Sequence, residues 1–393
     1  MAKNLIVCCD GTNNQFGICN TNVVRLAQVA VQDPDTQLVY YDPGVGTLPD
    51  VGALTSISKK FSEIKALAFG TDIETKVQTA YAHLMEYWEE GDSVFLFGFS
   101  RGAYTVRVLA GLLHSLGLLP PGNAHLLPYV MRIYGSLRRQ PDKSGTYWDL
   151  CDNFRWSFAR PIAGHADRRF PVRFVGVWDT VASVGWIWNP TSYPFTHRNQ
   201  SIQIIRHAVS IDERRWFFRQ NLFAVEPTRD TKEYWFAGVH SDVGGGYPEK
   251  SGGLWRVTFE WMLKEARAAG LLVDSQRLDA VRTRSTAPEK PWKEPANESL
   301  RGLMWTLAEF VPKRVYDPRS QRVKLGIGGF RHRIVQNGAE ISKAALQRLR
   351  EGQVNPTMPY NPPNLNKPFV ERVRSLADVP EHFPYVSDSP TTT

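Results

Sequence analysis

Cysteine is scarce in this chain of 393 residues: there are four, Cys8, Cys9, Cys19 and Cys151. So few, so irregularly spaced, exclude a disulfide framework and point to the reducing cytoplasm of the producing cell. No run of about 18 apolar residues occurs, so no transmembrane helix is expected. The chain enters an apolar run almost at once, without the pattern of a signal peptide. Basic residues exceed acidic ones, for a net charge of +8. They are scattered in pairs such as Lys59-Lys60, Arg138-Arg139, Arg168-Arg169 and Arg214-Arg215. With no basic run and no nucleic-acid module, a nucleic-acid partner is not expected. The excess reads as solvated surface, with weak attraction to anionic lipid headgroups as the functional alternative. No internal repeat and no dedicated metal-ligand spacing are found.

What is present is enough apolar residue, 42%, for a buried sheet, and too little charge, 22%, for global disorder. One segment carries most of the functional information. Gly98-Phe99-Ser100-Arg101-Gly102 follows the strand-like run Ser93–Phe97 and precedes an apolar, helix-length stretch, Ala103–Leu119. A serine between small residues at a strand-to-helix turn is a nucleophile elbow. Gly98 and Gly102 must be small because the turn is tight, and the N–H of Arg101 is an oxyanion donor.

A nucleophile needs a base, and the base an orienter. Val172–Trp178 reads as a strand closed by Asp179, and Tyr234–Val239 as another closed by His240, followed by Ser241-Asp242-Val243 and Gly244-Gly245-Gly246. Serine, acid and histidine in that chain order, each at a strand end, meet at the carboxyl edge of a parallel sheet. Asp179 as a turn cap and His240 as a hydrogen-bonded loop histidine are the structural alternatives. Among other histidines, His83 and His114 lie on helix-like stretches, while His207 and His332 lack a glycine-rich loop. Asp212, followed by Glu213-Arg214-Arg215, suits an ion-pair network, and Asp242 a turn-shaping role. A first strand, Asn4–Cys9, ends in Asp10-Gly11-Thr12-Asn13-Asn14, where Gly11 and Thr12 supply further oxyanion donors and Asp10 binds loop amides. A cation held by Asp10, Asp179, Asp242 and His240 is the competing reading; neither metal nor organic cofactor is expected.

Cys9–Asn14, Gly98–Ala103, Gly176–Val181, Arg206-His207-Ala208 with Asp212–Arg215, and Gly238–Tyr247 occur in this order. Together they resemble the catalytic domain of the Tle-one-like lipase effectors of type VI secretion, over roughly residues 3 to 265. The resemblance implies an α/β-hydrolase with a triad on Ser100, Asp179 and His240. It implies esterase chemistry of the phospholipase A kind, and delivery outside the cell without a signal peptide. Large members carry an added membrane-anchoring region, for which this chain has little room.

The expected architecture is therefore a mostly parallel central sheet with helices on both faces. Residues 1–270 are the hydrolase core, with a cap inserted at 120–170. Residues 271–393 are a helical and irregular extension packing on it. Residues 43–60 read as a long loop, Leu254–Ala269, Ser299–Val311 and Asn337–Leu349 as helices, and Ser387–Thr393 as a disordered tail. Trp186, Trp188, Tyr193 and Phe195, close after the Asp179 loop, line an acyl pocket or pack beneath it. The expected function is a serine hydrolase acting on lipid esters. The alternatives are an esterase for small soluble substrates and a non-catalytic hydrolase fold that binds.

Overall fold

The computed structural model of the chain describes residues 2–11, 14, 16–44, 71–136, 145–181, 193–224, 226, 228–248, 252–283, 290–300, 306, 309–310, 312–317, 322–353 and 358–386. The apolar run after the N-terminus forms β1 (Asn4–Cys9), followed by α1 (Asn22–Val29), β2 (Gln37–Asp42) and α2 (Thr71–Tyr87). Next come β3 (Ser93–Phe99) and α3 (Arg101–Leu116), then α4 (Leu127–Ser136) and α5 (Thr146–Phe158) within residues 120–170. β4 (Val172–Trp178), β5 (Ile202–Ser210) and β6 (Asp230–Phe236) complete the centre of the sheet. After them lie α6 (His240–Gly244), α7 (Trp255–Ala268), α8 (Ser275–Thr283) and the hairpin of β7 (Lys313–Asp317) and β8 (Arg322–Gly326). The chain closes with β9 (Glu340–Ser342), α9 (Lys343–Glu351), α10 (Lys367–Ser375) and β10 (His382–Pro384).

Eight strands form one sheet in the order β10-β9-β6-β5-β4-β3-β1-β2. Every pair is parallel except β9 with β10. Because side chains alternate across a strand, β1 feeds both layers. Leu5, Val7 and Cys9 join Tyr81 and Leu84 of α2, Leu109 and Leu112 of α3, Val130 of α4 and Phe154 of α5 on one face. Ile6 and Cys8 join Leu26 of α1, Phe259 and Met262 of α7 and Leu278 of α8 on the other. Burial of both faces explains why β1, β3 and β4 read as nearly continuous apolar runs rather than alternating ones.

Helices α4 and α5 are tied to their surroundings by hydrogen bonds. Tyr134 of α4 donates to the Pro194 carbonyl at 2.6 Å, and buried Arg155 of α5 donates to the Ser115 carbonyl at 2.6 Å. The stretch Leu254–Ala269 is the helix α7, as its periodicity predicts. Asn337–Leu349 departs from the expected single helix. Glu340–Ser342 is a strand because Ile341 pairs beside Trp235 of β6, and Ser342 then caps α9 by accepting the Ala345 amide at 3.3 Å. The C-terminal third thus extends the sheet as well as packing on it. Its third apolar cluster gathers Val209, Ile211 and Trp235 against Ile341, Leu346 and Phe369. Most of the 43–60 loop, most of Ser299–Val311 and all of Ser387–Thr393 lie outside the described residues.

Candidate active site

Ser100 sits between β3 and α3 with φ 57° and ψ −121°. A non-glycine residue in that region costs on the order of 1–3 kcal/mol and persists only where its surroundings enforce it. Here they do. The Ser100 amide donates to the Trp178 carbonyl at 3.1 Å, and its own carbonyl accepts from Tyr104 and Val181, each at 3.3 Å. The flanking glycines are steric necessities. A Cβ on Gly98 would lie 2.6 Å from the Ala103 backbone, and one on Gly102 would lie 2.1 Å from the Cys9 carbonyl oxygen. The elbow is therefore wedged against the end of β1.

That end of β1 is the Asp10 loop. A Cβ on Gly11 would fall 3.0 Å from Cβ of Ser100, so Gly11 lies against the serine. Asp10 is buried and accepts from the Gly11 amide at 2.7 Å, Thr21 Oγ1 at 2.8 Å and Tyr41 OH at 3.1 Å. Burial pushes its carboxyl up to about 6, against these donors. Its lone pairs are spent on holding the loop. Thr12 lies outside the described residues.

Asp179 ends β4 in a left-handed conformation, φ 40°. Its amide donates to the Ala208 carbonyl at 2.7 Å, so β5 sets its position. The carboxylate is fully buried and accepts four hydrogen bonds. Oδ1 takes the Ser210 amide at 2.9 Å and Arg333 Nη1 at 2.5 Å, while Oδ2 takes Arg333 Nη2 at 3.0 Å and His240 Nδ1 at 2.5 Å. Burial alone would raise its pKa; the Arg333 guanidinium and the imidazole outweigh it and hold the carboxyl well below the usual range. Beneath the same loop, His207 Nε2 accepts the Thr180 amide at 3.2 Å while its Nδ1 meets Glu233 at 2.8 Å. This histidine braces the Asp179 loop from below.

His240 is the first residue of α6. Its amide donates to Glu213 Oε2 at 3.1 Å, and its ring lies between Phe99, 4.5 Å away, and Phe218, 4.7 Å away, centroid to centroid. Phe99 is the residue before Ser100, so the imidazole stacks on the elbow itself. With Nδ1 committed to Asp179, Nε2 is the nitrogen available to a reacting group. Burial lowers the His240 pKa despite the Asp179 contact, which favours the neutral ring. Glu213 is buried too, and its bidentate pair with Arg215, both bonds 2.9 Å, holds it at about 2 against the desolvation that would raise it.

The remaining candidates separate from this cluster. Asp242 accepts the Val239 amide at 3.0 Å and both nitrogens of Asn297, at 3.0 and 2.7 Å, closing the turn that carries His240. Asp212 is not in the expected ion pair, which Glu213 makes with Arg215. It accepts instead from the Gly238 amide at 2.6 Å and Tyr360 OH at 2.9 Å. His114 is buried against Ser201, and His83 stacks between Tyr40 and Tyr87. Tyr193 belongs to the core and bonds Glu74 at 2.6 Å, and Phe195 packs on His114 and Trp148. Trp186 and Trp188 lie outside the described residues. Among the described residues no group of three or more His, Cys, Asp or Glu has the placement to hold a metal ion.

Sequence reasoning misses Arg333. Beside Arg331 and His332 it reads as part of a solvated charged stretch, yet only 3% of it is exposed. No local pattern marks it, since its partners are more than a hundred residues away in sequence.

A strained serine leading from a parallel strand into a helix, at the edge where a histidine and its carboxylate also emerge, makes this fold an α/β-hydrolase. Residues 3–265 match the family model described as "T6SS, Phospholipase effector Tle1-like, catalytic domain", and the chain belongs to that family. Relatives include an uncharacterized protein of Saccharomyces cerevisiae, 34% identical over 234 residues, which cover 57% of this chain and 33% of the relative. The chain thus spans a third of that curated protein's length. Two solved structures are similar in part. An uncharacterized Pseudomonas aeruginosa protein is 18% identical, with TM-score 0.41, over 73% of this chain and 48% of its own. The Tle1 effector bound to the VgrG spike of the type VI secretion system is 20% identical, with TM-score 0.32, over 63% and 51%. No helix among the described residues is long and apolar enough to cross a membrane.

Proposed function

We propose that this chain hydrolyses carboxylic esters of lipids through an acyl-enzyme on Ser100, in the manner of a phospholipase A. The observation that carries the reading is the 2.5 Å contact of His240 Nδ1 with Asp179, on an imidazole stacked against the residue preceding Ser100. Neutral His240 takes the Ser100 proton through Nε2 as Oγ attacks the ester carbonyl. Asp179 keeps the proton on Nδ1 and stabilises the imidazolium. The amide of Arg101, at the start of α3, and the loop at Gly11 and Thr12 are the oxyanion donors of this mechanism. The imidazolium then protonates the leaving alcohol, and a water activated by the same ring releases the acid.

The family supports lipid as the substrate class, and the net positive charge favours an anionic interface. Trp186 and Trp188 are the residues assigned here to the acyl side.

Two measurements test this. A fluorophosphonate probe should label the wild-type chain and not Ser100→Ala; equal labelling of both would end the proposal. Hydrolysis should rise when substrate passes from dispersed short esters to anionic vesicles at low salt, and Trp186→Ala with Trp188→Ala should weaken vesicle hydrolysis more than short-ester hydrolysis. Activity confined to short esters would assign the enzyme to soluble substrates.

A further inference from the structure

Arg333 lies in the C-terminal third, beyond the residues matched by the family, yet its guanidinium ends at the carboxylate behind His240. Nη1 and Nη2 grip both oxygens of Asp179, at 2.5 and 3.0 Å. Nη1 also meets Ser210 Oγ at 2.7 Å, and Nε donates to the Phe218 carbonyl at 3.1 Å. Phe218 is the residue whose ring meets the imidazole in a T-shaped contact. One side chain therefore fixes the acceptor below His240 and the wall beside it. Its own backbone is clamped in turn. Asn364 Nδ2 donates to the Arg333 carbonyl at 3.1 Å and to the Ile211 carbonyl at 2.9 Å, tying this segment to the end of β5.

Besides the imidazole on Oδ2, the Ser210 amide on Oδ1, at 2.9 Å, restrains rotation of the Asp179 carboxylate about its Cβ–Cγ bond. A bidentate guanidinium adds the tightest restraint, because its planar fork matches one orientation of the two oxygens. We propose that Arg333 is a positioning residue, holding Asp179 in the rotamer that receives Nδ1–H of His240, so that the C-terminal third completes the active site. The proposal rests on the triad reading above.

The charges facing His240 and Asp179 are Glu213, Arg215 and Arg333, so two carboxylates meet two guanidiniums around one imidazole. Removing Arg333 leaves Asp179 either ionised, so that its full charge falls on the imidazolium, or protonated by its burial. Both consequences move the acid limb of activity to higher pH.

The experiment measures fluorophosphonate labelling of the full chain against pH for wild type, Arg333→Met, Arg333→Lys, Arg333→Ala with added methylguanidinium, and the exposed neighbour Arg331→Met. Arg333→Met should label roughly 100-fold more slowly, as expected for a slightly misplaced catalytic group. Its acid limb should rise in pH. Methylguanidinium should restore labelling of Arg333→Ala, and Arg331→Met should behave as wild type. Arg333→Lys keeps the charge without the fork and serves where the methionine variant does not fold; it should also be slow. A folded Arg333→Met or Arg333→Lys with wild-type rate and pH profile would overturn the proposal, as would a slow Arg333→Met with an unmoved profile and no rescue of Arg333→Ala. Failure of the wild type itself to label refutes the triad reading, a result distinct from either of these.

Discussion

Replacing Asp179 by Asn changes one oxygen into an NH2 group in a pocket that holds only donors. Whichever way the amide turns, its nitrogen faces either the Ser210 amide and Arg333 Nη1, or His240 Nδ1–H and Arg333 Nη2. The second orientation drives the imidazole to the tautomer protonated at Nε2, which cannot take a proton from Ser100. The first leaves the imidazole in place but removes the charge that stabilises the imidazolium. A carboxylate-to-amide change of this kind lowers kcat by about 10⁴-fold in the best-studied serine hydrolases, equivalent to about 5 kcal/mol of transition-state stabilisation. Stability should fall as well, because the Arg333 guanidinium stays buried without its counter-charge, a loss on the order of 3–5 kcal/mol. The assay is steady-state hydrolysis of a soluble ester, at a temperature where circular dichroism shows the variant to be folded. Retention of more than a tenth of wild-type kcat in a folded Asp179→Asn protein would refute the reasoning. Asp212 and Asp242 would not rescue it, since their oxygens are committed to Gly238 and Tyr360, and to Val239 and Asn297.

Gly102→Ala should lower the melting temperature or prevent folding, because the new methyl would meet the Cys9 carbonyl at 2.1 Å and overpacking costs about 1–3 kcal/mol even at gentler sites; an unchanged melting curve would show that the elbow gives way. The acid limb of kcat/KM should lie below the ordinary histidine value of 6.5, because burial lowers the His240 pKa and only the neutral ring acts as base. A limb above pH 7 would mean that the carboxylates outweigh burial. Ester hydrolysis should survive EDTA, since Asp10 and Asp242 spend their oxygens on protein donors; loss on chelation, restored by calcium or magnesium, would place a cation in the mechanism.

β1, β3 and β4 are legible because a strand buried on both faces leaves an apolar run that stops sharply at a polar residue, which makes Ser100 and Asp179 visible as strand-end residues. The expected strand Tyr234–Val239 is displaced: β6 is Asp230–Phe236, apolar only in its last three residues, and His240 lies four residues beyond it at the start of α6. β5 is less legible, because Arg206 and His207 interrupt it; both are paid for by partners brought from elsewhere, Glu265 and Glu233. β9 is hidden by its length, three residues whose strand character comes from pairing with β6 and not from their own sequence. Arg333 is hidden for the same reason in side-chain form. An arginine is read as exposed unless its acceptors are known, and here they are Asp179 after β4, Ser210 at the end of β5 and Phe218 in a short helical turn.

The outermost strands have a consequence for where this chain can be divided. On its far side β6 is paired by β9 at Tyr234 and Trp235, and β9 is covered in turn by β10, which ends in Pro384 and carries His382 against Glu340. A short rim with a proline and polar side chains is poor at recruiting further strands. β6 is the opposite, seven residues with Tyr234, Trp235 and Phe236 at its end. A protein cut after Gly270 would present that strand as an open template, and its copies would find each other before they found substrate.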